Sequence, residues 1–403
     1  MSSEKKRIHP GIWCTVVFVF AARHDRRKKM TGESKSKSSY FRMLFILAGS
    51  TLAYAAGSGY TAGQEAYQYF ISFGKQCILV GVFYALVLGL TNIGIVYVCR
   101  KAKISKGSDI YSLLCGKYIG KFYELFSYVF SFMCYMAMIA GGASTLLGQY
   151  GIPRAAGALI FAVIACATVM LGLMKMVDII GVIGPVFAVF ILVISIVTVI
   201  INGSAIPANL TIIANKELDL VQVAPNWFMS ALSIGGYTIL MFALFSTELS
   251  KKYNFKSLAI GQTIGVWAYC IIDIILSFAF ISKIQDVVGQ EIPTLVLVNA
   301  LNSGLGKVCG IMISLAIFTT ACPCLYAVGS RFAEEKTKKF NFILVAATIT
   351  ALLIAMLFPF SVIMNFLYNA VGYVGASLIL FTIVKVIRVK VSEKQSGLKI
   401  RDI

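Results

Sequence analysis

The first long apolar segment, residues 43–73, carries at its centre the run Ala53-Tyr54-Ala55-Ala56-Gly57-Ser58-Gly59-Tyr60-Thr61-Ala62-Gly63-Gln64-Glu65. A helix that crosses a bilayer needs roughly 20 apolar residues, whereas this run holds three glycines, a serine, a threonine, an amide and a carboxylic acid. Each glycine costs about 1 kcal/mol of helix propensity. Broken backbone at membrane depth is tolerated only where it is buried in protein or lines a polar cavity. We therefore expect an interrupted helix here, and a binding site at the interruption.

The composition indicates an all-α membrane protein with about ten transmembrane helices. The chain has 403 residues, of which 59% are hydrophobic and 13% charged, and its mean hydropathy is +0.84. A soluble domain does not need that balance. Segments 1 to 10 cover residues 43–73, 77–99, 122–147, 155–174, 177–201, 226–248, 258–281, 308–330, 340–360 and 362–384. The loops between them leave no room for a second globular domain.

The basic residues predict the orientation. With the N-terminus in the cytoplasm, most of the 36 Lys and Arg fall on the cytoplasmic side, and the exceptions are Lys75, Arg154, Lys216, Lys283 and Lys307. This is the bias of the positive-inside rule. We therefore expect a cell-membrane protein with both termini in the cytoplasm. The formal charge of +19 is interpreted as topology and contact with anionic lipid, so nucleic-acid binding is not expected.

The ends of the chain are interpreted separately. Residues 1–40 are predicted to form a basic cytoplasmic tail, residues 41–390 a single transmembrane domain and residues 391–403 a second tail. Within the first tail, Gly11–Ala22 is shorter than a spanning helix. A signal peptide is weakly indicated. An interfacial helix, or a translation start placed too far upstream with Met30 as the natural alternative, is the plainer interpretation.

A second glycine pattern divides the domain into two halves. Segment 6 contains Ser233-Ile234-Gly235-Gly236-Tyr237 near its middle, as segment 1 contains Gly57-Ser58-Gly59-Tyr60. Glycine-interrupted segments at corresponding positions of two halves are typical of inverted-repeat transporters. We predict a five-plus-five inverted repeat, with residues 41–202 and 226–390 as the repeats and segments 1 and 6 both interrupted. The simpler alternative is close helix packing through small residues.

The predicted substrate site follows from the two interruptions and from depth in the membrane. The midpoints of segments 1, 3, 6 and 8 fall on Ser58, Cys134-Tyr135, Tyr237 and Thr319-Thr320. Interrupted helices expose amide groups on one half and carbonyls on the other, which suit an anionic and a cationic group respectively. The predicted substrate-binding residues are Ala55, Gly57, Ser58, Gly59, Tyr60, Tyr135, Ser233, Gly235, Gly236 and Tyr237.

Two acids lie deep in the apolar segments, Glu65 in segment 1 and Asp273 in segment 7. Intramembrane acids are costly and by default functional, so both are predicted, with Gln64, to act as a gate or proton site. Satisfaction by a neighbouring helix is the structural alternative. Cys322-Pro323-Cys324 is interpreted as a proline kink rather than a metal site, and the ten cysteines are expected to be free thiols.

The run Gly57-x-Gly59-Tyr60-Thr61-Ala62-Gly63-Gln64-Glu65, followed by Tyr69-Phe70, resembles the signature of YkvI-type membrane proteins. These look like members of the amino acid–polyamine–organocation superfamily with the LeuT-type fold. Tyr60 stands where the family usually has Phe, and Thr61 where it often has Ala. The resemblance covers nearly all of residues 40–390 and implies a secondary transporter without implying a substrate.

The resemblance also implies a sodium site. In LeuT-type transporters a hydroxyl pair in segment 8 joins carbonyls of the segment 1 interruption to hold Na⁺. The corresponding residues here are the Ala53 and Ala56 carbonyls and the Thr319 and Thr320 hydroxyls. Hydrogen bonding of both hydroxyls to their own helix is the structural alternative.

Two functions remain open at this point. The first is a transporter that couples Na⁺ or H⁺ to symport of a small amino acid or related amine by alternating access. The second is a ligand receptor on the same fold that binds without net transport, as spore-germination receptor subunits do. The substrate is expected to be zwitterionic or cationic. No cofactor and no enzymatic activity are expected, and the sequence does not indicate an oligomeric state.

Overall fold

The computed structural model describes residues 36–55, 57–102, 104, 109–171 and 177–396. Most of the N-terminal tail, including Gly11–Ala22 and Met30, lies outside the described residues, as does Ala56. The described chain is helical throughout its regular elements. Its α-helices are α1 Ser36–Ala55, α2 Ser58–Ala62, α3 Gln64–Tyr69, α4 Cys77–Ala102, α5 Asp109–Cys115, α6 Lys117–Tyr150, α7 Arg154–Leu171, α8 Val177–Asn202, α9 Ile206–Ala214, α10 Trp227–Ser250, α11 Phe255–Ser282, α12 Ile284–Val287, α13 Pro293–Leu301, α14 Ser303–Phe332, α15 Lys338–Leu357 and α16 Phe360–Ser396.

Nine helices among the described residues are long and apolar enough to cross a membrane, and the shorter apolar helix Tyr40–Ala55 begins the broken first segment. This confirms the prediction of a multi-pass helical membrane protein with about ten spans. The short helices α5, α9, α12 and α13 lie in the loops, where the hydropathy pattern did not indicate them. The loop between segments 5 and 6 is therefore partly helical rather than wholly irregular.

Several helix starts follow from capping side chains. The Asn226 side chain accepts a hydrogen bond from the Met229 N–H at the start of α10, at 2.9 Å. The Asn254 side chain accepts one from the Ser257 N–H at the start of α11, at 2.8 Å. Such side chains satisfy amides that have no partner within the helix. These caps fix where segments 6 and 7 begin.

The helices pack as two groups of four, with two further helices alongside them. α4 packs against α10 and α11, and the first helix α1 lies on α11. The second group consists of α6, α7, α14 and α15. The long helix α16 packs against α10, while α8 packs against α11. Segments 1 and 2 thus pair with 6 and 7, and 3 and 4 with 8 and 9, which agrees with a repeat of five segments.

Glycines set the closest approach between α1 and α11. A Cβ atom at Gly265 would lie 2.5 Å from the Ala48 carbonyl oxygen, and one at Gly261 would lie 2.5 Å from the Leu47 Cβ. Glycines four residues apart share one helix face and allow backbones to approach. The half of segment 1 that precedes the interruption is therefore seated directly on segment 7.

Candidate functional site

The first segment is interrupted where the sequence predicts it. α1 ends at Ala55 and α2 begins at Ser58, with Gly57 extended at φ −73° and ψ −172°. The Gly57 N–H donates to the Ala55 carbonyl at 2.7 Å. In a continuous helix it would donate to the carbonyl four residues earlier, that of Ala53. The interruption therefore releases the Ala53 carbonyl, a predicted ion ligand, from that helical bond, while the Ala55 carbonyl accepts the Gly57 N–H.

A second bend follows at Gly63, which adopts the left-handed conformation at φ +85°. A Cβ atom there would lie 2.6 Å from a ring carbon of Phe280 and 2.6 Å from the Thr294 hydroxyl oxygen. Glycine is the residue that adopts this conformation without steric cost. The bend begins α3, which carries Gln64 and Glu65 into the protein interior.

Glu65 and Asp273 are both buried in this interior. Glu65 is 4% exposed and Asp273 is 0% exposed, and Asp273 lies one helical turn after Tyr269 on α11. The Tyr269 hydroxyl donates a hydrogen bond to Glu65 Oε2. Both side-chain oxygens of Asp273 lack a hydrogen-bond partner among the described residues. Both predicted acids are therefore buried, with one carboxyl hydrogen-bonded and the other not.

Tyrosine rings pack together beside Glu65, whose carboxylate accepts the Tyr269 hydroxyl. The Tyr60 and Tyr269 ring centroids lie 5.0 Å apart, Tyr69 and Tyr368 lie 4.8 Å apart, and Tyr237 and Tyr368 lie 5.3 Å apart. We call this set, the five tyrosines with Glu65 and Asp273, the carboxyl chamber.

Gly59 borders the carboxyl chamber. A Cβ atom at Gly59 would lie 3.0 Å from Glu65 Oε1 and would overlap the Tyr368 hydroxyl. The hydroxyls of Tyr60 and Tyr368 are buried without a hydrogen-bond partner within the described part of the chain. A polar group buried without a partner costs free energy, so the chamber holds several groups that a ligand would satisfy.

The second predicted interruption is not found. α10 runs without a break from Trp227 to Ser250, and its glycines serve packing instead. A Cβ atom at Gly236 would overlap the backbone of α16 at Gly372 and Ala376. A Cβ atom at Gly372 would in turn overlap the Ser233 hydroxyl. The small-residue alternative is therefore the correct interpretation of this pattern.

The predicted substrate residues of segment 6 therefore divide into those that lie in helix contacts and one that reaches the carboxyl chamber. Ser233 and Gly236 lie in the contact between α10 and α16, and a Cβ atom at Gly235 would lie 3.4 Å from the Val87 side chain. Tyr237, by contrast, reaches the carboxyl chamber through Tyr368. The Tyr135 hydroxyl does not point to the carboxyl chamber. It lies 3.1 Å from the Thr348 hydroxyl on α15.

The predicted sodium ligands of segment 8 lie on α14, which packs against α2. The Thr319 and Thr320 hydroxyls both donate to the Ala316 carbonyl, at 2.8 Å and 3.1 Å. This is the helix-bonded arrangement that the structural alternative describes. Both hydroxyl oxygens nevertheless keep lone pairs that could face an ion, so the sodium site formed by Thr319, Thr320 and the Ala53 carbonyl stays a prediction.

Gln64 belongs to a network at the predicted outer side. Its side-chain amide donates to the Glu291 carbonyl at 2.8 Å and to the Gln290 carbonyl at 3.2 Å. The Glu291 carboxylate forms an ion pair with Arg154 and accepts the Phe360 N–H at 3.0 Å. It also accepts a hydrogen bond from the Ser144 hydroxyl. The loop between α12 and α13 is thereby fastened to α3, α6, α7 and α16.

The sequence does not single out four members of these clusters as site residues. Tyr269 lies four residues before Asp273, so the two share a helix face, and this spacing was the signal available for it. Tyr368 and the Arg154–Glu291 pair had no such signal, because they are joined to segment 1 only by tertiary packing.

Two other features lie apart from the chamber. A cleft of about 1190 Å³ is lined by residues between Ser72 and Gln76 and between Pro207 and Pro225, and none of the chamber residues lines it. Within the described ranges, no group of three or more His, Cys, Asp or Glu is arranged to hold a metal ion. Cys322 and Cys324 are buried and free.

Comparison with solved structures identifies the fold. A variant of the Eremococcus coleocola manganese transporter matches with a TM-score of 0.50 and 14% identity, over 93% of this chain and 84% of that one. The chain has the LeuT-type fold. A nucleobase-cation-symport-1 family transporter, solved in a closed conformation with bromovinylhydantoin bound, matches with a TM-score of 0.49 and 15% identity, over 83% and 77% of the two chains. No family model matches the sequence, and no curated protein matches it.

Proposed function

We propose that this LeuT-fold protein is a secondary active transporter that moves a small organic substrate across the cell membrane by alternating access, coupled to Na⁺ or H⁺. The observation that carries the proposal is the carboxyl chamber beside the interrupted first segment. Broken backbone and paired intramembrane acids are both costly in a bilayer. A broken helix with a buried intramembrane acid beside it, as at Gly59 and Glu65, is typical of a transport site.

The LeuT-type fold supports the proposal at the level of architecture. Both solved structures named above are described as transporters, which agrees with the expectation that the chain is not an enzyme. YkvI-type membership remains a proposal that rests on the Gly57–Glu65 run. The cytoplasmic placement of both termini likewise rests on the distribution of Lys and Arg.

Two candidate coupling sites accompany the substrate site. For Na⁺, the ligands would be the Thr319 and Thr320 hydroxyls with the Ala53 and Ala56 carbonyls. For H⁺, the carboxyl groups of Glu65 and Asp273 would carry the proton between the two sides. Small amino acids and related amines are the proposed substrates, because the acids of the chamber favour a zwitterion or a cation over an anion.

The test is uptake by the full chain in proteoliposomes. Radiolabelled amino acids and amines are offered under an inward Na⁺ gradient, an inward H⁺ gradient or neither. We expect accumulation above the equilibrium level under one gradient. Uptake that is indifferent to both gradients would count against coupling, and ligand binding without any accumulation would favour the receptor alternative.

A further inference from the structure

A large cleft on the predicted outer side has no role in the proposed function. The cleft has a volume of about 1190 Å³. Part of its lining is the 3-10 helix Ile71–Gln76, which follows α3, and the rest belongs to α9 and the loop that leads to α10. Pockets for small molecules typically have about 300–1,000 Å³, so the cleft has room for a ligand larger than a single amino acid.

Two lysines of the cleft depart from the charge bias of the chain. Lys75 and Lys216 are among the few basic residues predicted to lie outside the cytoplasm, and both line the cleft. Within the described ranges, neither takes part in an ion pair. Lys283, on the same predicted side, is by contrast paired with Asp286 at 3.3 Å. Lysine ammonium groups bind phosphate as point charges, so the cleft presents two unpaired cations to an anionic group.

The backbone holds Lys216 at the cleft. Its φ of +56° lies in the left-handed region, which glycine usually occupies after a helix. The Lys216 N–H donates to the Ile213 carbonyl and the Glu217 N–H donates to the Ile212 carbonyl, both at 3.1 Å. These bonds close the C-terminal end of α9. Residues with side chains that are held in such a conformation cluster at ligand sites, which supports a binding role for Lys216.

Carboxylates also line the cleft. Asp219 and Glu217 lie on the same loop as Lys216, and Glu217 Oε1 accepts the Asn215 side-chain amide at 2.8 Å. The Ser72 hydroxyl, buried without a hydrogen-bond partner in the described part of the chain, adds a neutral donor. A ligand with net negative charge would meet both carboxylates, whereas a zwitterion finds partners for both of its charges.

Lipid-facing surface begins beside the cleft. The helices α4 and α10 start just after two of the lining segments, and near these starts Leu79 and Phe228 are exposed. The Trp227 ring centroid lies 6.3 Å from that of Phe83 and 6.0 Å from that of Phe228, and tryptophan is enriched at the membrane interface. A molecule whose polar part occupies the cleft can therefore lay hydrocarbon against α4 and α10.

We propose that the cleft binds the headgroup of a zwitterionic phospholipid from the leaflet on the predicted outer side, with the phosphate at Lys75 and Lys216 and a primary ammonium group at Asp219. The acyl chains then lie along α4 and α10. The site is separate from the carboxyl chamber, and binding there does not depend on transport. Because the 3-10 helix continues the outer half of the broken first segment, the bound lipid joins that half to α9.

The experiment counts the lipids bound to the purified full chain by native mass spectrometry. The delipidated protein in detergent is titrated with dioleoyl phosphatidylethanolamine. We expect the double variant Lys75→Gln with Lys216→Gln to hold one molecule of this lipid fewer than the native chain. Lys283→Gln with Lys307→Gln is the control, because it removes the same charge from the same predicted side at lysines that do not line the cleft, and it should lose none. Equal counts for the native chain and the cleft variant, or an equal loss in the control, would overturn the proposal.

Asp219→Asn tests the ammonium part of the headgroup. Dioleoyl phosphatidylglycerol has a phosphate and no ammonium group, so we expect the native chain to bind it at the lysine-dependent site roughly three- to fivefold more weakly. Asp219→Asn should remove this preference. If the native chain binds both lipids equally at that site, the zwitterionic assignment is wrong.

The free headgroup separates a membrane lipid from a soluble ligand. Glycerophosphoethanolamine carries the same charges without acyl chains. We expect a tenfold excess of it to leave the count of bound phosphatidylethanolamine unchanged, because it gains nothing from the apolar surface of α4 and α10. Displacement of the lysine-dependent lipid at that excess would assign the cleft to a soluble phosphate ester and refute the lipid site.

Discussion

At the residue scale, the hydroxyls of Thr319 and Thr320 are the sharpest test of the sodium site. Thr319→Val removes one oxygen and keeps the shape of the side chain. We expect the Na⁺ concentration for half-maximal uptake to rise about tenfold, which corresponds to ~1.4 kcal/mol. The measurement is uptake in proteoliposomes as a function of Na⁺.

Thr350→Val is the matched control for that change. The Thr350 hydroxyl also donates to its own helix, to the Ala346 carbonyl at 3.0 Å, but it lies on the exposed side of α15. The Thr350→Val variant should leave the dependence of uptake on Na⁺ unchanged. An unaltered Na⁺ response in Thr319→Val as well would remove Thr319 from the ligand set.

The Tyr269 hydroxyl is the second residue whose role is testable alone. Tyr269→Phe deletes the donor to Glu65, and a hydrogen bond to a charged group contributes about 1.5–3 kcal/mol. We expect a lower melting temperature in detergent and a loss of uptake of about tenfold or more. Both follow because Glu65 loses the group that orients it.

Tyr111→Phe separates those two effects. Its hydroxyl is also buried and donates to the Leu240 carbonyl at 2.9 Å, but Tyr111 is outside the carboxyl chamber. This variant should lose stability while uptake per folded molecule stays near that of the native chain. Equal losses of uptake in both variants would show that Tyr269 acts through stability alone.

At the element scale, two adjacent glycines of α10 differ in how closely neighbouring atoms approach them. Gly236→Ala places a methyl group against the backbone of α16, whereas Gly235→Ala meets its nearest neighbour, a Val87 methyl, at 3.4 Å. Overpacking costs typically about 1–3 kcal/mol, while alanine in a helix interior gains about 1 kcal/mol over glycine. We expect Gly236→Ala to lower the melting temperature and Gly235→Ala to keep or raise it.

The same pair tests whether α10 must bend during function. If transport needs the helix to open at its glycines, Gly235→Ala will reduce uptake although the folded protein is as stable as before. If α10 stays continuous, uptake by Gly235→Ala will match that of the native chain. Equal melting temperatures for the two alanine variants would contradict the packing described here.

The two glycine patterns also show which features of the structure can be predicted from the sequence. Segment 1 was read correctly as interrupted, because its glycines are accompanied by Ser58, Gln64 and Glu65, which a continuous membrane helix does not favour. Segment 6 has the glycines without a nearby acid or amide. Gly236 faces Gly372 and Gly375 of α16, and that partner lies more than a hundred residues away in the sequence. A local pattern therefore indicates small residues without saying whether backbone or ligand approaches them.

The residues around the carboxyl chamber likewise include some that the sequence predicts and some that it does not. Glu65, Tyr60 and Gly59 are predicted from their depth and type, and the structure places them close to one another, while Asp273 is buried one helical turn from Tyr269. Tyr368 cannot be predicted from the sequence, because only the packing of α16 places its hydroxyl beside Gly59. Tyr135 was predicted from depth alone, and its rotation about the helix axis, which depth does not specify, turns its hydroxyl to Thr348.

At the scale of the whole molecule, Glu291 links α3 and α16 to α6 and α7 of the second group on the predicted outer side. Its carboxylate is paired with Arg154 and capped by the Phe360 N–H, while its carbonyl accepts Gln64. Gln64 adjoins Glu65 of the chamber, so a substrate entering from that side must pass where these bonds are made. Alternating access requires such a closure to open and reform.

Neutralising Arg154 should therefore open the predicted outer side. We expect Arg154→Gln to increase the rate at which a membrane-impermeant maleimide labels a cysteine at Gln68→Cys, by several-fold, in proteoliposomes with the outer face exposed. Gln68 is 0% exposed and donates to the Gln64 side chain at 2.8 Å, so labelling reports loss of this closure. The nine described cysteines are free and mostly buried, and the chain without Gln68→Cys gives their background.

Lys283→Gln is the control, because Lys283 forms an ion pair with Asp286 in the same loop without joining the helices. It should leave labelling unchanged. The double variant Arg154→Glu with Glu291→Arg keeps a pair of opposite charges and should restore part of the protection, although the Phe360 N–H then loses its carboxylate. If Arg154→Gln labels no faster than Lys283→Gln, the ion pair does not hold the outer side closed. The closure would then have to come from other contacts, of which the hydrogen bonds from the Gln64 amide to the Gln290 and Glu291 carbonyls remain in the labelled protein.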